Sequence, residues 1–243
     1  MLLTIIQKIS REIGILTILR HKNIVPLLGT VTGFGRRPEL PSLVTPWIPN
    51  GTLNVYLTSK HNDLSARDRS RMLEDVSAGL CYLHSVPVVH GDITGANILI
   101  DERGQAKLID FGLSTVLYGQ SHLAATSIHA GAIRYAAPEL LSDDVGDLPL
   151  EKSDIYSFGC VMLQILSGRH PWSEIKSQNS EYGIYGLKRQ GHSPQRPNGH
   201  PAIMDSDWDI IQKCLQLKSD LRPSADEVFD FVMRRLCSSG QPA

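Results

Sequence analysis

The stretch VVHGDITGANILI, from Val88 to Ile100, decides how the rest of this sequence is interpreted. Asp92 and Asn97 stand five residues apart in it, between two apolar runs. An aspartate on an exposed loop can accept a proton from a hydroxyl group, and an asparagine can offer its amide oxygen to a metal ion. The pair therefore indicates one half of a phosphoryl-transfer site.

A second motif extends this group of residues. Asp110 opens the tripeptide Asp-Phe-Gly, eighteen residues after Asp92, and follows two predicted strands, ILID and AKLID. A hairpin of those strands would return Asp110 to the loop that carries Asp92 and Asn97. Asp92 and Asn97 alone are equally well explained as turn residues that cap backbone amides, and the tripeptide Asp-Phe-Gly alone can occur by chance. Together, at this spacing, they predict a carboxylate base and two oxygen ligands for Mg²⁺.

The bulk properties exclude several classes of protein. With 243 residues, 42% of them hydrophobic and 20% charged, the chain is long enough for one globular domain or one two-lobed unit. A net charge of −1 offers no electrostatic basis for binding nucleic acid. The four cysteines are scattered, which disfavours a zinc site or a disulfide framework. No apolar run approaches the roughly 20 residues of a membrane span.

The order of predicted elements is a small strand-and-helix unit followed by a large helical body. Apolar residues recur at helical spacing over 5–20, and strand-like runs follow at 24–32 and 41–48. A short helix is predicted at TLNVYLTS, and a longer one with Ser65 as its N-cap. Further helices are predicted at 136–143, 152–168, 174–189, 206–217 and 224–237.

Five motifs in order give the chain its resemblance to the protein kinase family. HGDITGAN is similar to the catalytic loop of that family, and DFG to its metal-binding motif. GAIRYAAPE, residues 131–139, resembles the peptide-binding segment that ends in Ala-Pro-Glu. KSDIYSFGCVMLQILSGRHPW resembles the central helix of the large lobe, and LRPSADEV the closing helix. The resemblance covers residues 9 to 236 and is nearest to the tyrosine-kinase-like branch of Ser/Thr kinases, of the fungal type.

The resemblance implies an α+β, protein-kinase-like fold with a mainly helical large lobe and an incomplete small lobe. Residues 1–48 would form a partial small lobe and the hinge, 49–237 the large lobe, and 238–243 a tail. The Gly-rich loop and the Lys strand of the family are missing ahead of the first helix, so we expect a truncation before that helix (αC in the family). Gly33-x-Gly35 is more simply a hairpin turn. Glu12 matches the residue that pairs with the missing Lys, and we expect it to be solvated.

The resemblance also assigns roles to residues. Asp92 would be the catalytic base, and Asn97 and Asp110 would hold Mg²⁺. ATP would lie against the hinge, where the residues expected to contact it are Thr45, Pro46, Ile48 and, on a strand beneath, Leu99. Two structural roles are implied as well: a buried ion pair of Glu139 with Arg222, and Asp154 bracing the backbone of the catalytic loop.

Three substitutions depart from the family pattern. Gly91 replaces an Arg that clamps a phosphorylated activation segment, which argues against strict dependence on phosphorylation there. Thr94 replaces the Lys that neutralises the γ-phosphate, and Ala132 replaces the Thr or Ser that bonds to that Lys. Because much of this catalysis is electrostatic, we expect these two changes to slow transfer.

Three functions are compatible with the pattern. The first is a protein Ser/Thr kinase domain that uses ATP and Mg²⁺, acts on a protein substrate or signalling partner, and works inside the cell, in the cytoplasm. The second is a non-catalytic, kinase-like interaction module, favoured by the missing strands together with Thr94 and Ala132. The third is a small-molecule phosphotransferase of the aminoglycoside or choline kinase type, because those enzymes also carry Gly in HGD. The Ala-Pro-Glu segment and Arg222 disfavour the third.

Overall fold

Helix α4, Glu151–Ser167, lies at the centre of the fold in a computed structural model that describes residues 2–34, 37–111, 114–116, 132–141, 150–176, 180–199 and 201–238. Every side chain from Ser153 to Leu166 is buried. A helix that is apolar on all sides belongs inside a core rather than on its surface. The helix ends at Gly168, whose φ of 70° is a left-handed conformation that glycine adopts readily.

The remaining helices surround α4. Helix α3, Ala66–Ser85, packs against α4 and against the last helix, α7. Its start is fixed by Ser65 and Asp68, which hydrogen-bond each other's backbone N–H groups, as the predicted N-cap requires. The other helices are α1 (Leu2–Ile18), α2 (Leu53–Lys60), α5 (Ser180–Arg189), α6 (Asp205–Cys214) and α7 (Ala225–Ser238). Within the described ranges, no helix is both long and apolar enough to cross a membrane.

The strands form short antiparallel pairs. Strand β1 (Gly29–Val31) pairs with β2 (Ser42–Val44), with Gly29 opposite Val44. Strand β4 (Ile98–Ile100) pairs with β5 (Ala106–Leu108), with Ile98 opposite Leu108. Strand β3 (Val88–Val89) pairs with β6 (Thr115–Val116). The last two pairs bracket the catalytic-loop sequence, so that loop is held at both of its ends.

The first helix and the first sheet are joined to the helical body through residues 23–25. The N–H of Leu108 donates to the carbonyl of Asn23 at 2.8 Å, and the N–H of Val25 donates to the carbonyl of Leu108 at 3.1 Å. Apolar side chains near β1 and β2 are poorly covered by other residues: Leu28 is 65% exposed and Trp47 is 88% exposed. The expected α+β fold, with a large helical lobe and a small incomplete one, is confirmed.

Several element boundaries differ from the predicted ones. The predicted strand over 41–48 stops at Val44, since Pro46 and Pro49 cannot donate to a ladder. The predicted strand over 24–32 is divided at Pro26: Ile24 forms an isolated bridge with Leu108, and only Gly29–Val31 form a strand. The predicted helix over 136–143 is a 3-10 turn, Pro138–Leu141, in its described part. Residues 174–176 are not helical although helix was predicted there, and the described part of α5 starts at Ser180. Helix α6 ends three residues earlier than predicted.

Candidate functional site

The β4–β5 hairpin brings Asp110 beside the catalytic-loop sequence. The N–H of Ile109 donates to the carbonyl of Asn97 at 3.0 Å, one residue before Asp110 and at the end of the loop. Asp110 itself has a φ of 63°, a left-handed conformation unusual for a residue with a side chain. As predicted, the hairpin therefore returns Asp110 to the loop that carries Asp92 and Asn97. The glycine of the DFG motif, Gly112, lies outside the described residues.

Asp92, Asn97 and Asp110 line one cavity of about 450 Å³. The amide nitrogen of Asn97 donates to the backbone carbonyl of Asp92 at 2.9 Å and to its carboxylate at 2.8 Å. Both bonds use the nitrogen, so neither engages the amide oxygen of Asn97. The structure thus brings together the three polar residues that the sequence pattern singled out.

Asp154 supports the loop from below. Its side chain is 1% exposed, and its two oxygens accept from the N–H of His90 at 2.9 Å and from the N–H of Gly91 at 2.8 Å. His84 adds a contact of 3.1 Å to the same carboxylate. Gly91 has a φ of 78°, which suits glycine far better than the arginine of the family pattern. The bracing role expected of Asp154 matches this geometry.

The expectation that Glu12 is solvated was wrong, because its side chain is only partly exposed. Its carboxylate is half-buried and accepts a hydrogen bond from the backbone N–H of Phe111. Burial and then the charge of nearby Asp110 raise the pKa of Glu12, against the opposite effect of that N–H. Helix α1 packs this face against the Asp110–Phe111 segment, a long-range contact that its own periodicity does not reveal. Two neighbouring carboxylates favour a bound cation.

The far wall of the cavity comes from the segment that resembles a peptide-binding segment. Ala132, Arg134 and Tyr135 line it, together with His170 and Asn54. The sequence reasoning missed His170 and Asn54, and no local pattern distinguishes either residue. Arg134 and Tyr135 could have been predicted as cavity residues from the sequence, since both fall inside GAIRYAAPE.

A hydrogen-bonded network links the residues of this far wall through Gln164. The hydroxyl of Tyr135 donates to the side-chain oxygen of Gln164 at 2.7 Å and contacts Nδ1 of His170 at 3.0 Å. The amide nitrogen of Gln164 donates to the side-chain oxygen of Asn54 at 2.7 Å. Burial, and next the charge of Arg134, lower the pKa of His170. At neutral pH His170 therefore lines the cavity as a neutral imidazole.

Gly95, in the middle of the loop that carries Asp92 and Asn97, lies against the side chains of Asn54 and Gln164. A Cβ atom at this position would stand 2.3 Å from the side-chain oxygen of Asn54 and 2.5 Å from that of Gln164. Such distances are far inside van der Waals contact, so no larger residue fits without displacing the polar pair.

The four residues expected at ATP do not line the cavity that contains Asp92. Thr45, Pro46 and Ile48 follow strand β2 in the connection to α2, where the N–H of Gly51 donates to the carbonyl of Ile48 at 3.4 Å. Leu99 lies on β4 and forms a bridge with Thr52 at the end of the same connection.

The donor set at the cavity suits Mg²⁺. Asn97 and Asp110 supply oxygen atoms, the ligands that this hard cation prefers, and one or two protein carboxylates are typical of Mg²⁺ at a nucleotide. Over the ranges that the structure describes, no group of three His, Cys, Asp or Glu side chains could hold a metal ion. The remaining ligands would then come from phosphate and water.

Glu139 and Arg222 form the expected ion pair. Two parallel contacts join them, at 2.6 Å and 2.7 Å, and the Arg222 side chain is fully buried. Burial alone would raise the pKa of Glu139, but the hydrogen bonds and charge of Arg222 outweigh it and hold the pKa below its ordinary value. The pair ties the end of the peptide-binding-like segment to the helical body.

Comparison with known proteins identifies a protein family for most of the chain. A family model described as protein tyrosine and serine/threonine kinase matches residues 4–232. Wall-associated receptor kinase-like 5 of Arabidopsis thaliana is 37% identical over 254 residues, which cover 96% of this chain and 33% of that protein. Probable serine/threonine-protein kinase SIS8 of the same plant is 33% identical over 231 residues, covering 94% of this chain and 21% of that protein.

A third relative has similar coverage. Serine/threonine-protein kinase CTR1 of Arabidopsis thaliana is 31% identical over 241 residues, which cover 98% of this chain and 27% of that protein. The chain therefore spans between about a fifth and a third of the length of these three curated relatives.

Proposed function

This chain belongs to the protein tyrosine and serine/threonine kinase family, and on that premise we propose that it transfers the γ-phosphoryl group of ATP to a serine or threonine hydroxyl of a protein. The observation that carries the proposal is the meeting of Asp92, Asn97 and Asp110 at one cavity. Phosphoryl transfer demands positioning and charge stabilisation from a protein rather than covalent chemistry. Two oxygen-bearing side chains on a braced loop, with Asp110 beside them, meet that demand.

Asp92 is the base in this proposal. As the acceptor oxygen forms its bond to the γ-phosphorus and the bond to the ADP oxygen breaks, the hydroxyl proton passes to the Asp92 carboxylate. The two hydrogen bonds from Asn97 hold that carboxylate at the cavity wall. The carboxylate of Asp154 fixes the backbone just before it, through His90 and Gly91.

Asn97 and Asp110 would hold Mg²⁺. When bound, the ion neutralises charge on the nucleotide phosphates. Asn97 has its amide oxygen to offer, since its nitrogen already bonds to Asp92. Asp110 lines the same cavity and lies next to Glu12, so its surroundings favour a cation.

ATP would lie between this cavity and the connection after β2. In the proposal the adenine ring is held by Thr45, Pro46 and Ile48 on the connection and by Leu99 on β4. Pro46 has no N–H, so it can contribute only its carbonyl, while Ile48 can contribute an N–H and a carbonyl. The carbonyl of Ile48 already accepts from Gly51, but a carbonyl has a second lone pair.

Transfer is expected to be slow. Thr94 is buried and its hydroxyl accepts from the N–H of Ala96 at 3.2 Å, so it cannot replace a lysine beside the γ-phosphate. Ala132 lines the cavity opposite and carries no hydroxyl. Loss of one positively charged contact to a transferring phosphoryl group lowers the rate by about 100-fold or more.

The wider assignments are also proposals. Residues 1–48 form a partial small lobe and hinge, 49–237 the large lobe, and 238–243 a tail. The acceptor or signalling partner is a protein, which is what the family acts on. The setting is intracellular, in the cytoplasm.

One alternative has a specific observation in its favour. A non-catalytic interaction module would explain why Thr94 and Ala132 leave the cavity without the lysine and hydroxyl of the family pattern. Such a module would still fold through the Glu139–Arg222 pair and the Asp154 brace. It would not need Asp92, Asn97 and Asp110 to meet, so the transferase ranks above it.

A transfer assay separates these functions. The full chain would be incubated with γ-labelled ATP and Mg²⁺ and offered three kinds of acceptor: Ser/Thr peptides, Tyr peptides, and small alcohols, namely choline and aminoglycosides. The proposal predicts label on Ser/Thr peptides only, and loss of label in Asp92→Asn but not in Asp63→Asn, an exposed control. Label on small molecules, or no label with any acceptor while the chain is folded, would refute it.

A further inference from the structure

Lys188 is a buried cation that the proposed chemistry does not use. It lies near the end of α5 and is 1% exposed. Its ammonium nitrogen donates to the carbonyl of Ala136 at 2.6 Å and to the carbonyl of Arg134 at 3.2 Å. Lysines are almost never fully buried without a compensating partner, so this placement requires an explanation.

The surroundings compensate the charge only in part. The nitrogen of Lys188 lies 4.9 Å from the ring centroid of Tyr156 and 5.8 Å from that of Trp172. Over the described residues, no ion pair joins Lys188 to a carboxylate. Burial lowers the pKa of Lys188 to about 8; the Cys160 thiol and Glu139 work against that shift, and Arg222 adds to it.

The two carbonyls that Lys188 binds bracket Tyr135. The carbonyl of Tyr135 itself accepts from the hydroxyl of Ser157 at 3.0 Å, and that of Arg134 also accepts from the Cys160 thiol at 3.6 Å. The carbonyls of three consecutive residues, 134 to 136, therefore accept hydrogen bonds from buried side chains of α4 and α5. The same three residues belong to the segment whose Ala132, Arg134 and Tyr135 line the cavity.

We propose that Lys188 is a positioning residue for the polypeptide acceptor: its ammonium group fixes the segment 132–137, and that segment presents the acceptor to Asp92. The part that concerns the acceptor rests on the proposed kinase function. The part that concerns the segment does not, because it follows from the two hydrogen bonds alone.

Packing beneath the segment 132–137 does not by itself require the amine of Lys188. An apolar side chain of the same length would fill the space beneath the segment without the desolvation that an ammonium group suffers. What the amine adds is a charged donor for the carbonyls of Ala136 and Arg134, the second of which also accepts from the Cys160 thiol, a weak donor. Charged donors make hydrogen bonds roughly twice as strong as neutral ones, so the protonated form holds the segment best.

Hydrogen–deuterium exchange tests the segment directly. In Lys188→Met, amides of residues 132–137 should exchange about 10-fold faster than in the wild type, while amides of α3 keep their rates. Lys213→Met, an exposed lysine on α6, is the matched control and should change nothing. Ser157→Ala removes the hydroxyl that holds the Tyr135 carbonyl, and it should also speed exchange in the segment. Unchanged exchange at 132–137, or an equal rise in α3, would overturn the proposal.

The pH dependence separates the charge from packing. The acceleration caused by Lys188→Met should shrink between about pH 7 and about pH 9, because the wild-type amine loses its proton in that range. Each ratio compares two proteins at one pH, so the intrinsic exchange rate cancels. Ser157→Ala should show no such dependence. The other titratable groups near the amine lie outside this window: the pKa of Glu139 is held below its ordinary value, and burial raises the pKa of the Cys160 thiol to about 11 and that of Tyr156 well above its ordinary value. The guanidinium groups of Arg134 and Arg222 are the remaining charges near the amine. A constant ratio would overturn the role of the charge.

Kinetics test the acceptor. In Lys188→Met the KM for a peptide should rise about 5-fold or more with the KM for ATP unchanged. Faster exchange at 132–137 with an unchanged peptide KM would overturn the positioning role. If the wild type transfers no phosphate, the proposed function fails, while the exchange data still decide whether Lys188 fixes the segment.

Discussion

The side-chain amide of Asn97 donates two hydrogen bonds to Asp92, one to its backbone carbonyl at 2.9 Å and one to its carboxylate at 2.8 Å. The two bonds close a ring within the loop and fix where the carboxylate points. They also commit the nitrogen of the amide, so the amide oxygen is the atom that remains for a metal ion. In the proposed mechanism one asparagine thus performs two tasks, and separate measurements can detect each.

Replacing Asn97 by Ala should abolish both tasks together. We expect phosphoryl transfer to fall by about 100- to 1,000-fold, since an orienting bond and a metal ligand are lost at once. The apparent affinity for Mg²⁺ should fall in the same titration. Asn62→Ala, at an exposed position, should leave both unchanged. An Asn97→Ala variant with wild-type Mg²⁺ dependence would contradict the assignment of this residue as a ligand.

Gly95 should not tolerate a side chain. Gly95→Ala places a Cβ 2.3 Å from the Asn54 side-chain oxygen, and we expect a loss of about 2 kcal/mol in the free energy of unfolding. Gly186 is the matched control: it lies within helix α5 with nothing within 4 Å of its added Cβ. Gly186→Ala should be neutral or stabilise by up to about 1 kcal/mol. Urea denaturation of both variants is the measurement, and equal midpoints would contradict the account.

Asp154 should contribute to stability as well as to the shape of the loop. Asp154→Ala leaves the buried N–H groups of His90 and Gly91 without their acceptor. The expected cost is about 3 kcal/mol in the free energy of unfolding. Asp209→Ala, an exposed position on α6, should cost less than about 0.5 kcal/mol. Thermal melting distinguishes the two, and a small effect at Asp154 would show that water replaces the carboxylate.

The Glu139–Arg222 pair should make stability depend on acid pH. Arg222 holds the pKa of Glu139 below its ordinary value of 4.5, so the contribution of the ionised carboxylate is complete above 4.5 and is lost as pH falls through the lower, folded-state pKa. Above that window Glu139→Gln should be less stable than the wild type by about 3 kcal/mol. The difference should shrink at lower pH in urea titrations. A difference that stays constant down to the acid limit would argue against the pairing.

The catalytic-loop residues were predictable because their chemistry depends on short-range spacing. Asp92 and Asn97 are separated by one loop, and a two-stranded hairpin suffices to return Asp110 to them. The roles of Asp154 and of the Glu139–Arg222 pair came from the family resemblance, and the contacts in the structure agree with them. Local pattern and motif order together therefore predicted the fold class and the meeting of Asp92, Asn97 and Asp110 at one cavity.

Long-range burial was not predictable in the same way. Lys188 appears in the sequence as an ordinary basic residue at the end of a helix, and only the packing of α5 against the segment 132–137 removes it from water. Glu12 was misjudged for the same reason, since its partner lies about a hundred residues away. Periodicity shows which face of a helix is apolar, but it does not show what that face contacts.

A single-turnover measurement tests the central claim most directly. Enzyme in excess over γ-labelled ATP, with Mg²⁺ and a Ser/Thr peptide, would be quenched over time for the wild type and for Asp92→Asn, with ATP binding measured in parallel. The account predicts transfer by the wild type, and a loss of about 1,000-fold or more in Asp92→Asn with ATP binding retained. Equal transfer by both proteins, or binding of ATP without any transfer by the wild type, would contradict it.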